Sequence, residues 1–213
     1  MINRNTMARW LLISAILLPL VPTPGNAQRV FVEGRVGIVV PSGALNELEK
    51  VGSAFAGGLG YRWDRRLAAR IDFEHDFLQG EDIIPPSGAA PAVVLRHVVA
   101  AVEVSLPEVA PLRLSPSANL GAGATHLDFE SFSVPSGPQQ GTYDISGTYF
   151  TLNGGARLSY YLRPSFSLLA SGQAYWIFVD REDTKSLSLR GEGVPSVGST
   201  WTFPLTLGLR IAL

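Results

Sequence analysis

Three histidines and no cysteine make up the chain's supply of readily polarised side chains. Thiol nucleophiles, disulfides and thiolate metal sites are therefore excluded. His126-Leu127-Asp128 sets an imidazole and a carboxylate two residues apart, which places them on the same side of an extended chain. One chemistry this permits is a base, His126, oriented by Asp128 or Glu130. Taken with His75 and Arg96, the same residues instead form a cationic patch suited to phosphate, because guanidinium meets phosphate as a bidentate fork. A third reading leaves all four side chains simply wetted at an interface. His97, near Glu74 and Asp76, is expected to be a hydrogen-bonded histidine, since a metal would need more ligands in fixed geometry. The remaining chemistry-bearing residues are charges recurring at one parity, among them Glu33, Arg35, Arg70, Asp72, Glu74, Glu103, Arg157 and Arg210.

The elements that must position these residues are strands. Alternation runs through most of the chain and is clearest at its end, where Trp201, Phe203, Leu205, Leu207, Leu209, Ile211 and Leu213 take every second position. Seven further segments of the same kind run from about Val30 to Val40, Ser53 to Trp63, Leu67 to Phe77 and Val93 to Leu106, then Leu112 to Phe129, Thr148 to Leu162 and Phe166 to Val179. With Thr200 to Leu213 they make eight, and most reach the 9–11 residues that a tilted membrane strand needs. Their connections alternate strictly between long (41–52, 78–92, 130–147, 180–199) and short. An up-and-down barrel with both ends at the short-turn side has this pattern.

Ahead of the strands, residues 1–27 read as a secretory signal peptide. Arg4 and Arg9 precede the apolar run Trp10 to Val21, and Gly25-Asn26-Ala27 offers a cleavage triplet. That run falls short of the ~20 residues that would span a membrane as a helix. Residues 28–213 then form a single domain. Hydrophobic types make up 46% of the chain and charged types only 16%, against roughly 25% charged in ordinary soluble domains. Formal net charge is −1, so no basic field exists to hold nucleic acid. Removing Arg4 and Arg9 leaves 15 bases against 18 acids, and the four long connections alone hold ten acids and four bases. The loops thus carry −6, and the rest of the mature chain +3.

Parity alone does not say which face is the interior, so an exported soluble barrel stays open beside a membrane barrel. Aromatic residues favour the membrane. Tyr61, Trp63, Tyr160 and Phe166 lie at the short-turn ends, and Phe77, Phe150, Trp176, Phe178, Trp201 and Phe203 at the long-loop ends. Two such girdles on an apolar face are what two membrane interfaces call for.

The terminal run Phe203-x-Leu-x-Leu-x-Leu-x-Ile-x-Leu213 and the glycine-rich segment Leu120-Gly-Ala-Gly-Ala-Thr-His126 resemble the small eight-stranded outer-membrane β-barrels of Gram-negative bacteria, the OmpA/OmpX-type superfamily. The resemblance implies an all-β, eight-stranded antiparallel up-and-down transmembrane β-barrel. It also implies a monomer in the outer membrane, assembled by the barrel-assembly machinery, which in the family reads an aromatic where this chain has Leu213. Small-barrel lipid A deacylases pair a histidine with a serine two positions on; here that position is Asp128.

Eight strands leave an interior just wide enough for side chains. The inward charges are therefore expected to pair, Glu33 with Arg210 where the barrel closes and Arg70 with Glu103 near the short-turn end. No catalytic residue, cofactor or metal is expected. The expected role is structural or interactive, through lipid, through lipopolysaccharide at His75, Arg96 and His126, and through a surface ligand of the loops. The alternatives are narrow, porin-like solute transport and lipid A modification at the outer rim.

Overall fold

The computed structural model describes residues 30–47, 49–80, 92–109, 112–134, 141–179 and 199–213. The expected leader, and most of the connections 78–92 and 180–199, lie outside them. Eight strands follow one another: β1 (Val30–Gly43), β2 (Glu49–Arg62), β3 (Leu67–Gly80), β4 (Val93–Ser105), β5 (Leu114–Val134), β6 (Gly141–Arg163), β7 (Phe166–Ile177) and β8 (Thr200–Ala212). Each pairs antiparallel with the next, and β8 returns to β1, so the sheet is a closed barrel without an edge. The register at closure sets Phe31 opposite Ala212 and Gly43 opposite Thr200.

Alternation determines which side chains face where. Outward positions stay exposed and apolar, with Leu120 at 72% and Leu207 at 68%. Inward positions bury Glu33, Arg35, Arg70, Asp72, Glu103, Arg157 and Arg210. A soluble barrel would reverse this arrangement. With the polar side chains inside and each strand laddered to both neighbours, the outer surface suits hydrocarbon.

Several boundaries differ from the sequence reading: β1 runs to Gly43 and β2 starts at Glu49, inside the expected connection 41–52, and β3 runs to Gly80. The largest difference is at 130–147. The connection 130–147 is mostly strand, because β5 and β6 reach 21 and 23 residues. Their ladder slips between Phe129 and Phe132 and then continues to Val134 opposite Gly141. Backbone pairing needs no side-chain period, so this polar, Ser- and Gly-containing extension left no alternation to find.

The lumen is filled in two layers. The short-turn half holds the charges. The long-loop half is apolar, where Val39, Leu78, Val93, Leu95, Leu127, Phe129 and Ile177 pack with Leu45 of the 3-10 turn Ala44–Glu47. Leu45 is wholly buried, and its N–H donates to Thr200 Oγ1 at 3.4 Å. This apolar upper half was not anticipated, although its residues share the parity of the charges below.

Candidate functional site

The charged layer is one connected network. Arg210 on β8 and Glu33 on β1 are direct register partners, with Nη2 to Oε1 at 2.6 Å and Nε to Oε1 at 2.8 Å. The same guanidinium reaches across the lumen to Glu103 on β4, donating to both carboxylate oxygens at 3.0 and 2.8 Å. Arg157 on β6 donates to the other oxygen of Glu33 at 2.6 Å. Arg35 lies 3.1 Å from Asp72 Oδ1.

The second expected pair is looser. Arg70 is opposite Ala101, and Glu103 is opposite Ala68, so the two residues are diagonal. They approach to 3.8 Å, while Arg70 lies 3.1 Å from Asp72. Phe31 closes the layer from below, with the Arg210 guanidinium 4.3 Å from its ring centroid.

Above the ions several polar side chains pair with one another. Tyr175 donates to Glu74 at 3.0 Å and stacks on His97 at 4.3 Å. His97 binds Thr125 at 2.7 Å through Nδ1 and Asp76 at 3.2 Å through Nε2, so both ring nitrogens are engaged. Among the described residues no three metal-ligating side chains converge. Asn119, Asn153 and Gln173 form a small amide cluster, with Asn119 donating to the other two at 2.9 Å each.

The second locus lies outside, on β3 to β6. Register places His75 beside Arg96, Arg96 beside His126, and His126 beside Thr148. This row of four outward side chains is polar where the rest of that face is apolar. Asp128 belongs to the row above and lies 3.4 Å from Arg96, the two side chains 34% and 47% exposed. His126 Nδ1 pairs with Thr148 Oγ1 at 2.9 Å. Among the described residues no hydrogen bond or ion pair joins His126 to a carboxylate, and the side chain of Glu130 lies outside them. The orienting partner that a histidine base would need is thus engaged by Arg96 instead.

Elsewhere at this level the outward face is aromatic. Trp176 stacks on Trp201 at 5.1 Å, Trp176 lies against Phe178, and Phe55 meets Phe77 edge-on at 6.1 Å. His75 joins that belt by stacking on Phe77 at 4.3 Å. The polar row interrupts the girdle. Just above it on the inner face the apolar upper lumen begins with Leu95 and Leu127.

No family model and no curated protein matches the chain. Solved structures do. The crystal structure of Neisserial surface protein A superposes with a TM-score of 0.59 at 14% identity, covering 89% of this chain and 100% of that one. A major outer membrane protein from Thermus thermophilus superposes with a TM-score of 0.51 at 14% identity, covering 86% and 99%. Strand count, closure, the polar interior and these two likenesses agree: the chain has the fold of the small eight-stranded outer-membrane β-barrels.

Proposed function

We propose that this chain is a non-enzymatic protein of the bacterial outer membrane, exported by its leader, with a structural or surface-interaction role. The observation that carries this reading is the filled lumen. Ion pairs occupy one half and packed apolar side chains the other, which argues against a path for solutes. The chain reconstituted in planar bilayers is expected to give no stepwise conductance. Discrete conductance steps would overturn the reading in favour of transport.

The role has two faces in this proposal. The four acidic long connections present a recognition surface, as loops on rigid scaffolds do. The row His75, Arg96 and His126 contacts lipopolysaccharide phosphate, with Arg96 supplying the fork. Its Asp128 partner is half-exposed, and such pairs hold only about 0–1 kcal/mol in water, so a phosphate can compete for the guanidinium. The variant carrying His75→Gln, Arg96→Gln and His126→Gln is expected to retain lipopolysaccharide about tenfold less well during purification, a hydrogen bond to a charged group being worth about 1.5–3 kcal/mol. Equal retention by parent and variant would remove the headgroup contact. Lipid A of unchanged mass in cells making the parent is expected too, and a changed mass would restore the enzyme reading.

A further inference from the structure

Positive charge collects at the short-turn end, outside the interior network. Four interior arginines (Arg35, Arg70, Arg157 and Arg210) face Glu33, Asp72, Glu74, Asp76 and Glu103. The short-turn end instead sets Arg62, Arg65, Arg66, Arg113 and Arg163 against Asp64 and Glu108, a local charge of +3. These seven residues line one cavity of ≈ 1130 Å³, together with Trp63 and Tyr161. Among the described residues no ion pair holds Arg65, Arg113 or Arg163.

The turns that carry these arginines are well fixed. Asp64 Oδ1 accepts the N–H of Arg66 at 2.6 Å and of Leu67 at 2.8 Å. Those two bonds hold its carboxyl below the usual carboxylate range and commit it to the backbone. Val109 N–H donates to Leu114 O at 2.8 Å, and Tyr161 N–H to Arg113 O at 3.1 Å. Arg113 itself has φ of 54°, the one non-glycine residue in the left-handed region among those described. A charged residue held there at a conformational cost is the kind of outlier that points to use. The ring of Phe31 lies under both Arg62 at 5.9 Å and Arg210 at 4.3 Å.

We infer that this vestibule is a binding site for phosphate-bearing ligands. Guanidinium groups suit phosphate geometry, the excess of cations is confined to this cavity, and its volume exceeds what one phosphate needs. The site is independent of the outer-rim contact proposed above, being on the opposite end of the barrel. Two sources carry the required chemistry: a soluble phosphorylated solute of the periplasm, and the headgroup of an anionic phospholipid in the inner leaflet.

The test uses the whole barrel in nanodiscs. In phosphatidylcholine discs, inorganic pyrophosphate is titrated calorimetrically; in discs containing phosphatidylglycerol, native mass spectrometry counts retained lipid. The variants are Arg113→Gly, which suits the positive φ, and Arg163→Gln, with Lys50→Gln as the control at the far end. Saturable pyrophosphate binding that falls on the order of tenfold in each vestibule variant, and is unchanged in the control, supports a soluble ligand. Retention of phosphatidylglycerol by the parent but not by the vestibule variants, with pyrophosphate silent, supports the headgroup. If neither probe separates the vestibule variants from the parent, or Lys50→Gln has the same effect, the site is refuted. A heat-shift gel verifies that each variant has closed.

Discussion

Replacing Arg210 with methionine is expected to destabilise the closed barrel by about 3–5 kcal/mol. Arg210 forks onto Glu103 and also binds Glu33, and those two carboxylates are 2% and 0% exposed. Methionine fills much of the same volume, so the effect comes from charge rather than from a cavity. Arg157 remains 2.6 Å from Glu33 and 3.6 Å from Glu103, with Arg35 3.8 Å from Glu33 and Arg70 3.8 Å from Glu103, but both carboxylates lose the guanidinium they share at a depth that water does not reach. The double variant Arg210→Met with Glu103→Gln removes one charge of each sign and is expected to recover a large part of the loss. Urea unfolding of the lipid-reconstituted protein, followed by the fraction that runs in the folded position on unboiled gels, reads both. A midpoint for Arg210→Met equal to the parent's would show that the network holds the barrel only weakly.

A methyl group added at Gly208 is expected to be at least as harmful, and for a different reason. Gly208 stands opposite Arg35 at the β1–β8 seam. A Cβ there would run into the Gly34 carbonyl oxygen and the Arg35 side chain. The first obstacle is backbone in the ladder that closes the barrel. The second is the stem of an arginine whose head is fixed on Asp72. Overpacking typically costs about 1–3 kcal/mol, and here neither obstacle can move without opening the seam. Gly208→Ala is therefore expected to give little or no heat-modifiable folded form. Gly34→Ala, on the same seam, meets nothing within 4 Å and is expected to fold as the parent does. Equal folded yield from the two variants would mean that the seam adjusts freely.

The strands were legible because one side of a barrel wall is hydrocarbon and the other a polar interior, a contrast that writes a period of two into the sequence. Glu33 and Arg210 could be matched because both are counted inward from chain ends that meet at closure. Arg70 and Glu103 could not be matched as well, since β3 and β4 join through the long connection and no short turn fixes their register. Counting from strand ends assumed that Leu67 is level with the end of β4, whereas it pairs with Val104, and the offset makes the contact diagonal. The contacts of Arg157 with Glu33, and of Arg210 with Glu103, join strands that are not neighbours. They depend on the barrel's diameter, which alternation does not encode. The apolar upper lumen could have been found, because Val39, Leu78, Leu95 and Leu127 stand on the charged parity. It was missed because that parity had been read as polar throughout. The vestibule escaped notice because its five arginines come from three separate turns that only closure brings together.

The pairing of Glu33 with Arg210 spans 177 positions of sequence, almost the whole domain. Its two halves stand in the first strand and in the eighth. Until the eighth strand arrives, Glu33 has nothing on that flank to offset its burial, and β1 has an unpaired ladder. A truncated chain that ends before residue 210 is thus marked by a stranded carboxylate as well as by an open edge. The barrel in this way closes only once its eighth strand is in place, and only then is its first strand buried.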